Sequence, residues 1–285
     1  MTLVTDRHKV TVRDALRLVA DRLAAARCET PRVDAEILVA HVLAVSRSAL
    51  LSETSRELSR DQASRLEQLV GRRLLREPLA YVLGEWGFRR LTLSVDSRVL
   101  VPRPETEVVV ERCLARLAGL PEPHVLDVGT GSGAIALAIA DEHRGARVTG
   151  IDASAGALEV AGANSLQTGL AVELHLWDLF RGLPEGPWDL VVSNPPYVLP
   201  EEVETLDPEV REWEPRESLV GVGATEVVAR GALDVLRPGG ALVLEVAAGD
   251  AERVAALLDE LGYSDVVSTR DLSGRDRVVD GLRRG

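Results

Sequence analysis

The segment after Pro104 alternates short apolar runs with longer helix-like ones, and this alternation restricts the fold more than any other feature of the chain. The apolar runs are HVLDV at 124–128, RVTGID at 147–152, VELHLW at 172–177, DLVVS at 189–193 and ALVLEV at 241–246. Helix-like segments near 132–141, 155–167 and 224–236 separate most of them. This order predicts an α/β fold, a parallel sheet with helices on both faces. Two further strand candidates, 264–272 and 276–283, flank a Ser-Gly turn and should be antiparallel.

The first 80 residues indicate helices instead. The start signals are Thr11 with Asp14, Thr30 before Pro31, and Ser59 with Gln62. From Phe88 the period changes, because Leu91 and Leu93 alternate with polar residues as in a half-buried strand. We therefore expect a small all-α domain at residues 1–84, a β-hairpin linker at 85–103 and the α/β domain at 104–285.

Charge, cysteine content and hydropathy exclude several classes of protein. Residues 1–100 carry 17 basic and 13 acidic side chains, whereas residues 101–285 carry 16 and 32. An acidic larger part argues against stable nucleic acid binding, which needs an extended basic surface. Cys28 and Cys113 fit neither a disulfide framework nor metal-ligand spacing. No run approaches the ~18 to 20 apolar residues of a membrane span. We expect a cytoplasmic protein without a metal or a membrane anchor.

A glycine-rich turn directly follows the first strand of the α/β domain. It reads Asp127-Val-Gly-Thr-Gly-Ser-Gly133 and leads into a helical pattern. Its glycines permit a tight turn and a close approach of the backbone to a ligand. Such a loop alone is weak evidence, because dinucleotide binders use related ones. The dinucleotide pattern GxGxxG would need glycine at position 134, where the chain has alanine.

Three strands end in aspartates, at Asp127, Asp152 and Asp178. Asp152 is placed to accept both hydroxyls of a ribose, which suits NAD as well as S-adenosylmethionine. Asp127 could face a cationic amino acid moiety, and Asp178 could accept from an adenine amino group. Three acids suit a ligand with an ammonium and a sulfonium better than one with a pyrophosphate. The alternative is that these acids only cap the helices that follow.

The sequence VVSNPPY at 191–197 ends the fourth strand. Pro195 and Pro196 cannot continue a sheet ladder, so they hold the backbone in one extended shape. The Asn194 side-chain oxygen and the Pro195 carbonyl could accept both hydrogens of a planar –NH2 group and turn its lone pair toward a methyl donor. Tyr197, expected to be exposed, would stack on that group. A glutamine amide and the exocyclic amines of adenine and guanine all fit, and a plain Pro-Pro loop is the alternative.

Seven stretches of the chain resemble one known family. They are PRVDAEILVAHVL (31–43), EPLAYVLGEWGF (77–88), VLVPRPETE (99–107), LDVGTGSGAIALAIA (126–140), SNPPY (193–197), WEPRESL (213–219) and DLSGRDRVV (271–279). By these motifs the chain is similar, over almost its whole length, to the peptide chain release factor glutamine methyltransferases. That family modifies the glutamine of the Gly-Gly-Gln tripeptide in bacterial release factors. The resemblance implies a seven-stranded, Rossmann-like class I methyltransferase domain after a helical substrate-binding domain and a hairpin linker.

The resemblance also implies ligands and roles for single residues. The implied cofactor is S-adenosylmethionine, with S-adenosylhomocysteine as product and no metal, and the implied partner is a release factor that meets a monomeric enzyme. The residues implied to contact the cofactor are Asp127, Gly129, Thr130, Gly131, Ser132, Gly133, Asp152, Ala153, Asp178, Leu179 and Asn194. The acceptor glutamine would be held by Asn194, Pro195, Pro196 and Tyr197. Family members also place the segment Arg103–Thr106 beside the cofactor.

Two segments depart from the family pattern. Residues 245–250 lack the usual Gly-x-x-Gln, and VGVGATEVV at 220–228 lacks the usual Gly-Gly and Asp-Gly. The departures leave open a divergent enzyme that acts on a ribosomal-protein glutamine or another amide. A nucleic acid amino-methyltransferase would need a base-flipping surface and a recognition module. A non-catalytic S-adenosylmethionine-binding protein is disfavoured, because the glycine loop and NPPY are both intact.

Overall fold

The computed structural model describes residues 10–285, and the chain divides into two compact units. One contains the chain up to Gly84 together with Asp207–Trp213, and the other contains Glu85–Leu206 and Glu214–Gly285. Two boundaries differ from those expected. The segment 207–213 groups with the helical unit because Glu209 binds two arginines there. Residues 85–103 group with the α/β unit, since the Asn164 side chain bonds both the N–H and the carbonyl of Ser94.

The helical unit has three helices that begin where the sequence predicted and two shorter elements that were not predicted. Its elements are α1 (Val12–Ala25), α2 (Pro31–Leu43), a 3₁₀ turn (Arg47–Leu51), α3 (Arg60–Leu74) and α4 (Leu79–Leu83). Ser59 and Gln62 form the reciprocal capping box at the start of α3. Thr30 precedes α2 but does not cap its backbone, because its hydroxyl donates to the Asp34 carboxylate at 2.7 Å.

The α/β unit contains a two-stranded hairpin and a seven-stranded sheet. The strands are β1 (Glu85–Phe88), β2 (Leu91–Ser94), β3 (His124–Val128), β4 (Arg147–Asp152), β5 (Glu173–Leu176), β6 (Trp188–Ser193), β7 (Leu236–Glu245), β8 (Ser264–Arg270) and β9 (Asp276–Leu282). The large sheet has the order β5-β4-β3-β6-β7-β9-β8. Neighbours from β5 to β7 are parallel, and β9 is antiparallel to both β7 and β8. The predicted α/β fold, hairpin and antiparallel final pair are therefore confirmed.

Helices cover both faces of the large sheet. They are α5 (Thr106–Leu117), α6 (Ala134–Glu142), α7 (Ala155–Thr168), α10 (Ala224–Val235) and α11 (Ala251–Leu261). The short α9 (Arg216–Leu219) also belongs to the α/β unit, and α8 (Pro208–Arg211) belongs to the helical unit. Val125 and Val192 pack with α5 and α6. Leu126 and Val191 pack with α10 and α11 on the opposite face. Within residues 10–285, no helix has the length and apolar character needed to cross a membrane.

Candidate active site

The sheet order reverses between β3 and β6, and a cavity of about 590 Å³ lies beside the carboxyl ends of these strands and β4. Ligands of open α/β sheets bind at such a switch point, and the volume suits a ligand of cofactor size. The wall residues used below are Arg103, Gly129, Thr130, Gly131, Ser132, Asp152, Ala153, Trp177, Asp178, Leu179, Phe180, Asn194, Pro196, Glu217 and Gly221. All belong to the α/β unit.

The glycine loop between β3 and α6 depends on backbone shapes that glycine adopts readily. Gly129, Gly131 and Gly133 have φ angles of +75°, +55° and +81°. The N–H groups of Gly129 and Thr130 both donate to the Ile151 carbonyl, at 2.8 and 3.0 Å, which holds the loop against β4. Of the five predicted loop residues, four line the cavity. Gly133 is instead buried, as the residue before α6.

Asp127 lies beneath this loop rather than on the cavity wall. Its side chain is fully buried, and its Oδ2 accepts a hydrogen bond from the Thr130 hydroxyl at 2.7 Å. No donor in the described part of the chain reaches Oδ1. Burial raises the pKa of this carboxyl to about 7, and the Thr130 hydrogen bond offsets only part of the effect. The expectation that Asp127 contacts a cofactor directly stays a prediction, and what the geometry shows is support for the loop.

Asp152 and Asp178 do lie on the cavity wall, with Ala153 and Leu179 next to them. Asp152 accepts from the N–H groups of Gly131 and Ser154, both at 2.9 Å, so it ties the glycine loop to the start of α7. Burial raises the pKa of Asp152, and the nearby Glu217 carboxylate adds to the effect. The Asp178 carboxylate caps the short turn that follows, accepting from the Phe180 N–H at 3.0 Å. Capping and ligand binding are compatible here, since each carboxylate oxygen has two lone pairs.

Asn194 is half-buried on the cavity wall, directly after β6. Within the described residues, no hydrogen bond occupies its side-chain amide, so both its oxygen and its NH2 group are available. Pro196 is also on the wall, whereas Pro195 is buried and Tyr197 lies outside the lining. Tyr197 is half-buried rather than exposed as expected, because the Arg277 guanidinium carbon lies over its ring, 5.9 Å from the centroid.

Other wall residues were missed, or given no role, by sequence reasoning. Trp177 and Phe180 are 37% and 62% exposed and add aromatic walls beside Asp178. Glu217 from α9 is a third acid on the cavity wall, besides Asp152 and Asp178. Arg103 is the sole basic side chain among the wall residues, and buried Glu214 holds it at 2.6 Å. Arg103 lies in the motif VLVPRPETE and Glu214 in the motif WEPRESL. The presence of both motifs was the sequence signal from which this pair could have been predicted.

The segment after α9 packs tightly against NPPY. Val198 donates from its N–H to the Leu219 carbonyl at 2.9 Å and forms a parallel bridge with Val220. Gly221 lies so close to Pro196 that an added Cβ would sit 2.6 Å from the Pro196 carbonyl oxygen. The first two residues of the departing segment 220–228 therefore support the NPPY loop directly.

The donors and charges of this cavity fit S-adenosylmethionine. Three carboxylates suit the ribose hydroxyls, the adenine amino group and the cationic centres of that ligand, and Arg103 suits its carboxylate. The aromatic side chains beside Asp178 suit a flat heterocycle. A dinucleotide, with its pyrophosphate, would meet three acids and one arginine. The cavity chemistry therefore favours the sulfonium cofactor.

Comparison with known proteins identifies relatives of both units. Two protein-family models match, the PrmC N-terminal domain at residues 14–84 and the methyltransferase small domain at residues 106–209. The chain is 39% identical over 281 residues to a release factor glutamine methyltransferase of Caulobacter vibrioides, covering 96% of this chain and 97% of that protein. It is 41% identical over 275 residues to one of Cereibacter sphaeroides, covering 93% and 96%.

Two solved structures share the fold of the α/β unit. A methyltransferase from Pyrococcus furiosus matches with a TM-score of 0.50 and 19% identity, covering 68% of this chain and 89% of that chain. The T. thermophilus 16S rRNA N2 methyltransferase RsmC, solved with AdoMet and guanosine, matches with a TM-score of 0.51 and 20% identity, covering 70% and 50%. At these identities the two structures show the fold alone.

Proposed function

This chain belongs to the release factor glutamine methyltransferase family, and we propose that it transfers a methyl group from S-adenosylmethionine to the glutamine side-chain nitrogen of the Gly-Gly-Gln motif in peptide chain release factors. The observation that carries this proposal is the unoccupied amide of Asn194, which shares one cavity wall with the glycine loop. The activity follows from the family, and the side chains on the cavity wall support the roles of single residues.

Residues at the ends of β4 and β5, together with Arg103 before α5, would hold the cofactor. Asp152 would accept from the ribose hydroxyls and Asp178 from the adenine amino group, with Trp177 and Phe180 as aromatic walls beside it. Arg103, fixed by Glu214, would bind the carboxylate of the amino acid moiety. When bound, S-adenosylmethionine supplies an electrophilic methyl group on sulfur and is left as S-adenosylhomocysteine. The reaction needs no metal.

The acceptor amide is oriented by the start of NPPY. An amide nitrogen is a poor nucleophile, because its lone pair is delocalised into the neighbouring carbonyl. The Asn194 side-chain oxygen and the Pro195 carbonyl accept its two hydrogens, which directs the lone pair into the cavity. Neither group is a base, so they act by position and charge, and the methylated nitrogen then loses one proton to solvent. The rigid Pro195-Pro196 backbone keeps the two acceptors at a fixed separation.

The substrate is a protein, and the reaction takes place in the cytoplasm with the enzyme as a monomer. The acidic α/β unit supports a protein partner rather than stable nucleic acid binding. Release factors supply the Gly-Gly-Gln loop, which is small enough to bring a glutamine side chain into a cavity of this volume.

Mass spectrometry tests the proposal. A purified release factor is incubated with the protein and S-adenosylmethionine, and fragmentation locates any added methyl. We expect one methyl on the Gly-Gly-Gln glutamine, none on a release factor whose glutamine is replaced by glutamate, and none with Asn194→Ala. Asn194→Ala should still bind S-adenosylhomocysteine within about threefold of wild type, because the glycine loop and Asp152 are unchanged. Methylation of ribosomal proteins but not of the release factor, in a parallel reaction with ribosomes, would reject the proposed substrate.

A further inference from the structure

A group of polar and charged side chains, most of them buried, lies next to NPPY and has no part in the roles assigned to the cavity residues. Its members, which we call the Arg277 cluster, are Glu105, Thr106, Glu245 and Arg277. They come from three separate segments: the start of α5, the end of β7 and the start of β9. Glu245 is 1% exposed and Arg277 is 9% exposed. Charges this well buried need a reason, because desolvation makes them costly.

Specific contacts fix the Arg277 guanidinium. Nη1 donates to the Val246 carbonyl at 3.2 Å, and Nη2 lies 3.6 Å from Glu105 Oε1. The guanidinium carbon lies over the Tyr197 ring, 5.9 Å from the ring centroid. This distance is within the range at which an arginine over an aromatic face is attractive. Arg277 is therefore the side chain that covers the Tyr197 ring on one side.

Glu245 is the second acidic member of the Arg277 cluster. Its Oε2 accepts from the Thr106 hydroxyl at 2.7 Å, and its Oε1 is buried without a partner in the part of the chain that the structure describes. Burial raises the pKa of the Tyr197 phenol, Glu245 raises it further, and Arg277 opposes both effects. Neither Glu245 nor Arg277 lines the cavity, so neither reaches a ligand there. Arg277 contacts the Tyr197 ring, whereas Glu245 contacts Thr106, which does line the cavity.

Arg275 provides a natural comparison, since it lies two residues before Arg277 in the same DLSGRDRVV motif. Its side chain is 55% exposed and binds Asp271 at 3.2 Å. It also lies 3.6 Å from Glu105 Oε1, as Arg277 does. The two arginines thus share one carboxylate, but only Arg277 covers the tyrosine ring.

We propose that Arg277 is a positioning residue that fixes the Tyr197 ring, next to Pro196 of the cavity wall, for contact with the acceptor group, and that the Glu105 carboxylate and the Val246 carbonyl keep its guanidinium in place. The consequence for methyl transfer rests on the function proposed above, whereas the contact between Arg277 and Tyr197 does not. The planar guanidinium is needed, because a lysine has the charge but cannot hold two anchors and an aromatic face together.

Tyrosine NMR tests the contact in the free protein. The chain has three tyrosines, Tyr81, Tyr197 and Tyr263, so ring-labelled tyrosine gives a spectrum that Tyr197→Phe assigns. We expect Arg277→Gln to shift the Tyr197 ring signals and to leave those of Tyr81 in place. Arg277→Lys should produce a smaller shift, and Arg275→Gln should change none of the three. Tyr197 signals that stay unchanged in a folded Arg277→Gln protein would overturn the positioning role.

Kinetics test the consequence. We expect Arg277→Gln to lower kcat for release factor methylation about tenfold, with KM for S-adenosylmethionine within about twofold and Arg275→Gln close to wild type. If Arg277 acts through the ring, the same substitution should cost less than about twofold in a Tyr197→Ala background. Equal losses in both backgrounds would mean a general structural role and overturn the proposal. A wild-type protein that modifies no release factor would reject the proposed substrate instead, and the NMR result would still decide the contact.

Discussion

Gly221→Ala is the substitution for which the packing around NPPY gives the sharpest prediction. The added Cβ would lie 2.6 Å from the Pro196 carbonyl oxygen and 2.8 Å from the Pro196 Cβ. Relief of these contacts requires movement of about 0.5 to 1 Å, since such pairs of atoms are stable at roughly 3.5 Å. The backbone of Pro196 has little freedom to rotate, and the Val198 N–H bond to Leu219 ties the two segments together. The NPPY loop must therefore shift as a unit.

The expected loss follows from that shift. Overpacking of this kind costs about 1 to 3 kcal/mol of stability. A displacement of about 1 Å at a positioning group costs on the order of 100-fold in rate, so we expect kcat/KM to fall about 10- to 100-fold. Thermal unfolding and release factor methylation measure the two effects. Gly162→Ala is the matched control, because its Cβ would meet only Leu174 Cδ1, at 3.8 Å, within α7. Gly221→Ala with wild-type activity would refute the tight support of NPPY by residue 221.

Two further outcomes follow from the carboxylates near the glycine loop. For Asp127→Asn we compare the free energy of unfolding of the variant with that of the wild type, measured in urea. This difference should shift in favour of the variant by about 2 to 3 kcal/mol between pH 5 and pH 8, because one pKa unit corresponds to about 1.4 kcal/mol. The sign follows from the folded pKa of about 7, which lies above the ordinary 3.8, so the wild type loses stability as pH rises between these two values. A difference between variant and wild type that does not change with pH would contradict the burial argument. Asp152→Asn should weaken S-adenosylhomocysteine binding about 10- to 100-fold by calorimetry, since an amide accepts fewer hydrogen bonds than a carboxylate. The exposed Glu173→Gln on β5 is its control, and equal affinities would remove Asp152 from the cofactor site.

Local patterns predicted most of the α/β unit. Strand and helix periods are set by near neighbours, so β3 and β4 were predicted with the bounds that the structure has. β7 begins at Leu236, five residues before the predicted start, because Trp188 pairs with Leu236 across a register shift that no local pattern signals. The glycine loop and Asn194 reached the cavity wall because parallel strands bring their carboxyl ends to one edge.

Contacts between distant segments explain what sequence reasoning missed. Asp127 is the last residue but one of β3, whereas Asp152 is the last residue of β4, and only Asp152 reaches the cavity because Asp127 turns beneath the loop to Thr130. Glu217 lines the cavity although it lies on α9, far in sequence from the end of any strand. Arg277 covers Tyr197 across 80 positions of sequence, and such a pairing has no periodic signature.

The short segment 207–213 determines which residues must be exchanged together when the helical unit is replaced. Glu209 binds Arg73 at 2.8 Å and also binds Arg76, while Arg73 binds Asp34 at 2.8 Å in a buried set of charges. A chimaera that replaced residues 10–84 by a segment without these two arginines would leave Glu209 without its ion-pair partners. One partner of a buried ion pair left alone costs about 3 to 5 kcal/mol. The helical unit is therefore discontinuous in sequence, and residues 207–213 must be exchanged together with residues 10–84.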